Sequence, residues 1–169
     1  LDSVQRLVDD AVQKGARVLV GGKRDPQAAG QFFPPTVLVD VTHQMDITQQ
    51  ETFGPVMVIM RASSDADVIQ KANDTEFGLG STVFSKDHKR AARIAQQLVA
   101  GSTCINDYGL CYMANALPFG GVKESGFGRL NGREGLRACC NIKSVVSDRF
   151  PLHMPSKIYP VKPGDYEMV

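Results

Sequence analysis

The residues best suited to chemistry in this sequence stand in the run Glu51-Thr52-Phe53-Gly54-Pro55. A carboxylate such as Glu51 can accept two hydrogen bonds from vicinal hydroxyls, as on a ribose, and a nearby phenyl ring such as Phe53 can offer a flat apolar face to a heterocycle. Gly54 permits close backbone approach, and Pro55 fixes the turn. The run therefore predicts a nucleotide contact at Glu51 and Phe53. The alternative is a plain turn with an exposed Glu and a core Phe.

A longer segment rich in glycine runs from Pro118 to Arg129, and five of its residues are Gly or Pro. That composition prescribes a specific chain path rather than a flexible linker. Backbone amides in such a loop can cradle a phosphate. However, no strand leads directly into the segment, and its spacing fits neither GxxxxGK[ST] nor GxGxxG. We therefore favour a packed structural loop at the rim of a site, with the phosphate cradle as the alternative.

The cysteines and histidines do not form a metal-binding pattern. Four cysteines stand at positions 104, 111, 139 and 140, and no CxxC pair occurs. The three histidines are scattered along the chain, so no metal site is expected. We interpret all four cysteines as reduced packing residues, because a free Cys behaves as a small buried hydrophobe. Cys111 is the one we would test for reactivity.

The elements that must position these residues alternate between helix and strand. Apolar residues at helical spacing predict helices over 3–14, 65–73, 87–99 and 132–140. Strands are predicted over 18–20, 36–39, 56–60, 81–84, 102–105 and 142–146. The 56–60 run is wholly apolar, which predicts a strand covered on both faces. The alternation indicates an α/β layered architecture with parallel pairing, whereas 106–131 shows no periodicity and is predicted to be a functional loop.

The bulk composition excludes some classes of partner. The chain has 169 residues, 19 of them basic and 18 acidic, for a net charge of +1. This balance gives no electrostatic footprint for nucleic acid or an anionic membrane. The longest wholly apolar run, Val56 to Met60, is far too short to span a bilayer. No signal peptide opens the chain, which favours the cytoplasm, although Leu1 is not an initiator Met and a targeting segment could precede it.

Taken in order, these segments resemble the aldehyde dehydrogenase superfamily along most of the chain. The shared features are Pro35-Thr36, Glu51-x-Phe53-Gly54-Pro55, Asn73 with Phe77-Gly78-Leu79, Gly101 with Ile105-Asn106, the loop from Pro118 to Arg129, Gly135-Leu136 and Lys143. The resemblance implies an α/β, parallel-sheet layered catalytic domain, of which this chain is the C-terminal part. Residues 1–140 would belong to that domain, 141–149 would be an oligomerisation strand, and 150–169 a Pro-rich extended tail.

The resemblance also implies an activity. Members of this superfamily oxidise aldehydes to carboxylic acids, or to thioesters, with NAD or NADP, through a covalent thioester on a cysteine. By resemblance, Glu51 holds the ribose next to nicotinamide and Phe53 contacts the ring region. Asp107, Tyr108 and Phe119 would lie along the aldehyde entrance. Residues 109–117 form a longer loop than in many members, and Phe77 replaces a more usual Tyr.

The family nucleophile precedes the Glu-x-Phe-Gly-Pro motif, and none of residues 1–50 is Cys. We therefore expect the nucleophile, the general-base Glu and the dinucleotide-binding domain upstream in the same protein, and we assign no catalytic residue here. The isolated chain should be inactive, and the full protein a homo-oligomer joined through Ile142–Val146. The alternative is a non-catalytic assembly module that oligomerises through that strand. Neither the aldehyde nor the choice between NAD and NADP is predicted, because the expected upstream domain recognises the 2′-position.

Overall fold

A computed structural model of the chain describes residues 1–27, 29–147 and 149. The helices are α1 (Asp2–Gln13), α2 (Asp65–Asn73), α3 (His88–Ala95), α4 (Leu110–Met113) and α5 (Gly132–Ala138). The strands are β1 (Arg17–Val20), β2 (Thr36–Val39), β3 (Val56–Val58), β4 (Phe77–Gly78), β5 (Gly80–Val83), β6 (Ser102–Ile105) and β7 (Val122–Lys123). The predicted α/β class with parallel pairing is confirmed by β2–β3 and β5–β6. Within the described part, no helix is long and apolar enough to cross a membrane.

The main core forms where α1 packs on the first sheet. The helix buries one apolar stripe, as its spacing predicts: Val4, Leu7, Val8 and Ala11. Val12, which we expected in the same stripe, is exposed. The stripe meets Leu38 of β2, whose side chain is fully buried, together with Ile47 from the 3₁₀ turn Asp46–Thr48 and Met45 just before that turn. This core fixes the chain on both sides of the Glu51 run.

The first sheet has the order β1-β2-β3, with β1–β2 antiparallel and β2–β3 parallel. The prediction that the strand beginning at Val56 is covered on both faces is wrong. Val56 and Met60 pack against the α1 core, but Met57 is 61% exposed and Val58 and Ile59 are exposed too. The reason is that the core reaches only the two ends of this apolar run. Leu19 and Val20 of β1 are exposed as well, so the sheet shows apolar side chains to solvent.

A second unit is built from α2, β5, α3 and β6. The Ser64 hydroxyl caps α2 by accepting a hydrogen bond from the Asp67 amide at 3.1 Å. The parallel pair β5–β6 is joined through α3. Arg90 of α3 holds Asp65 of α2 through Nε, at 2.9 and 3.1 Å from the two carboxylate oxygens. The α3 helix ends at Ala95, earlier than the predicted Val99.

The stretch 106–131 is more ordered than its lack of periodicity predicted. It contains α4 and β7, and Phe119 forms a bridge with Leu130. The strand β7 pairs antiparallel with β4. Residues 141–147 form neither helix nor strand, because a strand needs a neighbour and the described chain supplies none here. The predicted strand Ile142–Val146 and the domain boundaries therefore stay predictions, and the tail 150–169 lies outside the described residues.

Candidate functional site

A tight loop carries Glu51 and Phe53 between the 3₁₀ turn and β3. The Gly54 amide donates to the Thr52 carbonyl at 2.9 Å, and the Pro55 carbonyl accepts from the Thr36 amide at 2.8 Å. A Cβ on Gly54 would lie 2.9 Å from Cγ2 of Val4, so only glycine lets the loop pack this closely on α1. The loop is thus anchored to both α1 and β2.

Both candidate side chains of this loop face solvent. Phe53 is 86% exposed, and Glu51 is exposed. The alternative of a core Phe is therefore wrong. An exposed phenyl ring beside an exposed carboxylate leaves an apolar face and two acceptor oxygens accessible to a ligand.

Glu51 stands on the rim of a cleft of about 360 Å³, named here the Glu51 cleft. Its lining residues are Glu51, Ala72, Asn73, Thr75, Phe77, Gly78, Leu79, Gly80, Ser81, Leu98, Val99, Ala100 and Ser125. Phe53 is not among them. Apart from Glu51 the lining side chains are uncharged, so the carboxylate is the one ionised group of this lining and an acceptor for hydroxyl donors.

The wall of the Glu51 cleft is held by the loop from Pro118 to Arg129. The Lys123 ammonium donates to the carbonyls of Asn73 and Thr75 at 2.7 and 2.8 Å. The Ser125 hydroxyl accepts from the Gly78 amide at 2.9 Å. The Glu124 amide donates to the Glu76 carbonyl at 2.9 Å instead of facing a ligand. These contacts favour the structural-loop interpretation over the phosphate cradle. The roles of Lys123 and Ser125 are ones that the sequence analysis missed.

Asn73 connects this wall to the end of α3. Its side-chain amide donates to the Gln97 carbonyl at 2.8 Å and accepts from the Val99 amide at 2.7 Å. The Val99 amide therefore bonds to a side chain and not to a helical carbonyl, because α3 has already ended at Ala95. Asn73 was part of the family resemblance but was not predicted as a site residue, since the contact joins residues 26 positions apart.

A second cleft, of about 580 Å³, lies between β5, β6 and the α4 loop and is named here the Tyr108 cleft. Tyr108 and Phe119 both line it, as does Tyr112, whose ring meets Phe119 edge-on at 5.1 Å between centroids. Asp107 does not line it. Its carboxylate accepts from the Leu110 amide at 3.2 Å and so caps the α4 turn. The structure thus brings together two of the three predicted entrance residues, with Asp107 beside them as a support.

The two clefts share one wall, formed by Leu79, Gly80 and Ser81 at the start of β5. A ligand group in the Glu51 cleft and another in the Tyr108 cleft would therefore approach each other across a single stretch of backbone. Asn106 holds the other end of β5. Its side-chain amide donates to the Ser85 carbonyl at 2.9 Å and accepts from the Ser85 amide at 2.7 Å.

The cysteines occupy two different environments. Cys104 is buried and Cys111 is half-buried, and their Sγ atoms lie 3.1 Å apart in the Tyr108 cleft. Cys139 and Cys140 are exposed, so the prediction that all four are packing residues is wrong for these two. The described residues contain no group of three or more His, Cys, Asp or Glu placed to hold a metal ion.

Comparison with known proteins identifies the class to which this architecture belongs. The sequence profile of the Aldehyde dehydrogenase family matches residues 1–145. The chain belongs to the aldehyde dehydrogenase family.

Individual members and likenesses of this family are also similar to the chain in sequence and structure. A Saccharomyces cerevisiae protein described as aldehyde dehydrogenase-like is 44% identical over 168 residues, which is 95% of this chain and 26% of that protein. The structure of betaine aldehyde dehydrogenase from Staphylococcus aureus in complex with NAD+ is 40% identical with a TM-score of 0.74, covering 81% of this chain and 27% of that one. A salicylaldehyde dehydrogenase from Pseudomonas putida G7, complexed with salicylaldehyde, is 32% identical with a TM-score of 0.78, covering 92% and 31%. The chain therefore spans about a third or less of the proteins it matches.

Proposed function

We propose that this chain forms part of an NAD(P)-dependent aldehyde dehydrogenase that oxidises aldehydes to carboxylic acids through a cysteine thioester. The nucleophile, the general base and the dinucleotide-binding domain would come from polypeptide upstream of Leu1. The isolated chain would therefore be inactive. The observation that carries this proposal is the exposed Glu51 carboxylate on a cleft that shares a wall with the aromatic Tyr108 cleft.

Glu51 is the cofactor contact in this proposal. Its two oxygens are acceptors only, which matches the two vicinal hydroxyls of a ribose. Phe53 would cover the nicotinamide side with its exposed ring. When bound, the nicotinamide supplies the hydride acceptor. The NAD+ complex of the relative from S. aureus supports a nicotinamide cofactor as the ligand class, and the choice between NAD and NADP stays open in this proposal.

Tyr108 and Phe119 are the entrance residues in this proposal. Their rings line an apolar cleft on the other side of the 79–81 wall, where an aldehyde could reach a nicotinamide held near Glu51. Asp107 would act through the α4 turn, whose first amide it caps. The salicylaldehyde complex of the P. putida relative supports an aldehyde as the substrate class.

The decisive experiment replaces Glu51 by Gln in the complete enzyme that contains this chain. The neutral amide keeps the shape but loses a charge-assisted acceptor, and such a bond is worth about 1.5–3 kcal/mol. The KM for NAD(P)+ should therefore rise about tenfold or more, with the KM for the aldehyde unchanged. Glu124→Gln is the matched control, because Glu124 is also exposed but does not line either cleft. Equal cofactor KM values in the two variants would reject the role of Glu51.

The inactivity of the isolated chain has a separate test. The 169-residue chain is incubated with NAD+ or NADP+ and a panel of aliphatic and aromatic aldehydes, while absorbance reports reduced cofactor. We expect no turnover, because the covalent step needs a nucleophile that we place upstream. Reduced cofactor formed in proportion to the chain concentration would contradict the proposal.

A second candidate function is assembly, and one observation favours it. Ile142 and Val146 are 80% and 90% exposed in a stretch that forms no element of its own. An extended apolar segment can pair with the edge of a neighbouring sheet and be covered there. We infer a homo-oligomer joined through 142–146.

The oligomeric state is measured by light scattering, with Val145→Pro as the test variant. Proline removes one amide donor and so weakens a strand pairing. Lys23→Pro, at an exposed position in the loop between β1 and β2 and outside 141–149, is the control. A purified chain that is monomeric at all concentrations, or a Val145→Pro variant that is as oligomeric as the parent, would refute the assembly role.

A further inference from the structure

Two thiols lie within reach of each other in the Tyr108 cleft. Cys104 is in β6 and only 8% exposed, whereas Cys111 is in α4 and half-buried. Their Sγ atoms are 3.1 Å apart, and a disulfide bond is about 2 Å long. The two Sγ atoms must therefore move about 1 Å closer to form the bond, and a rotation of the Cys111 side chain can supply this movement.

We propose that Cys104 and Cys111 form an oxidisable dithiol that closes to an intrachain disulfide when the protein meets a peroxide. This inference does not depend on the proposed function, because it needs only the two thiols and their separation. The sequence analysis interpreted both residues as reduced packing groups and selected only Cys111 for a test of reactivity.

The reaction begins at Cys111, whose side chain is the more accessible of the two. The Cys111 thiol first releases its proton to solvent, and the thiolate attacks one oxygen of hydrogen peroxide. The O–O bond breaks, a sulfenic acid forms, and the departing hydroxide takes up a proton to give one water. The Cys104 sulfur then attacks the Cys111 sulfur, the S–O bond breaks, and the second water leaves with the remaining thiol proton. Two thiols are oxidised by two electrons in all, and one peroxide is reduced to two waters.

The groups around Cys111 affect the rate of this reaction through the pKa of the Cys111 thiol. The hydrogen bond with Cys104 raises the pKa of the Cys111 thiol above its ordinary value, and burial and the Asp107 carboxylate raise it further, against a smaller opposing effect of Ser102. Less thiolate is therefore present at neutral pH than in a free cysteine. Bridge formation should therefore accelerate as the pH is raised through that pKa.

The bridge would change the cleft that it borders. Gly109, Tyr112 and Cys111 all line the Tyr108 cleft from the α4 side, and Cys104 lines it from β6. A covalent link between the two sides removes their freedom to move apart. The width of the cleft would then depend on the oxidation state of these two cysteines.

The test uses the full 169-residue chain with Cys139→Ser and Cys140→Ser, so that the pair alone remains. Hydrogen peroxide should reduce the two free thiols to none and lower the mass by two hydrogen atoms, and dithiothreitol should restore both thiols. Peptide mapping should show Cys104 joined to Cys111. In the same background, Cys111→Ser is the control. It alters a half-buried position, so the chain should stay folded, and it should keep one free thiol without an intrachain bridge.

Three outcomes would overturn the proposal. The first is a sulfinic acid on Cys111 with an intact Cys104 thiol, which would mean that the two sulfurs do not meet. The second is a bridge found only between two chains on a non-reducing gel. The third is full retention of both thiols under peroxide at pH 9, where circular dichroism still shows a folded chain.

Discussion

The contact between Gly101 and Gly120 gives the sharpest test of how the glycine-rich loop is held. A Cβ built on Gly101 would overlap the Gly120 carbonyl oxygen and lie 2.7 Å from its carbonyl carbon. Both obstacles are backbone, so no side chain can move aside, and the loop from Pro118 to Arg129 must shift. Gly101→Ala should therefore loosen the contacts that this loop makes with residues 73–78.

The magnitude follows from those contacts. Lys123, Glu124 and Ser125 together supply four hydrogen bonds to that segment. A net contribution of about 1 kcal/mol each means that losing two or three lowers the free energy of unfolding by about 2–3 kcal/mol. Gly80→Ala is the matched control, because the nearest atom to its Cβ is the Ser102 hydroxyl at an ordinary 3.4 Å. That change should alter stability by less than about 1 kcal/mol.

The assay is urea unfolding of the 169-residue chain, followed by circular dichroism. The midpoint should fall for Gly101→Ala and stay near the parent value for Gly80→Ala, with unchanged slopes. Hydrogen exchange adds a local measurement, since the Gly78 and Glu124 amides donate across this contact and should lose protection in Gly101→Ala. Equal midpoints for the two variants, with both amides still protected, would refute the reasoning.

Three further predictions concern other parts of the molecule. Leu38→Ala, at a fully buried position in the α1 core, should lower the free energy of unfolding by about 2–5 kcal/mol. Urea titration measures this loss, and a smaller loss would mean that the core closes around the cavity left by the leucine side chain. The Ser63 amide, Lys71 and the Ser63 hydroxyl lower the pKa of Asp67 from 3.8 to about 2. The stability from this carboxylate is therefore present above pH 4 and lost as the pH falls towards 2, so acid titration of Asp67→Asn should show a flatter decline over that window than the parent. If the proposed function holds, Phe119→Ala, which removes the edge-on contact with Tyr112, should raise the KM for the aldehyde but not for NAD(P)+ in the complete protein. The reverse pattern would place Phe119 on the cofactor.

Local sequence signals were sufficient to predict the bounds of several helices and strands. The helix α2 begins after Ser64 and ends at Asn73 as predicted, because its cap and first-turn acids are local features. The strands β2 and β6 match their predicted bounds, since short β-branched runs bordered by Pro or Gly leave little choice. The motif that carries Glu51 was identified for the same reason, because its residues are adjacent.

Contacts between distant residues were not predictable in this way. The α3 helix was expected to reach Val99, whose amide is instead bound by the Asn73 side chain 26 positions away. The pairing of β4 with β7 involves two residues on each strand, too few to leave a pattern. Met57 was expected to be covered because the run is apolar, yet it is 61% exposed, since apolar composition alone does not supply an element that packs on the strand.

The exposed apolar side chains of the first sheet have a thermodynamic consequence. Leu19, Val20 and Met57 already contact water in the folded chain, so unfolding hydrates less new hydrocarbon than it would in a chain with these side chains inside. The heat-capacity increment of unfolding should therefore fall below the usual value of about 12–15 cal/mol/K per residue. A smaller heat-capacity increment reduces the curvature of the unfolding free energy as a function of temperature. Calorimetry of this chain should therefore give a free energy of unfolding that varies only slowly with temperature.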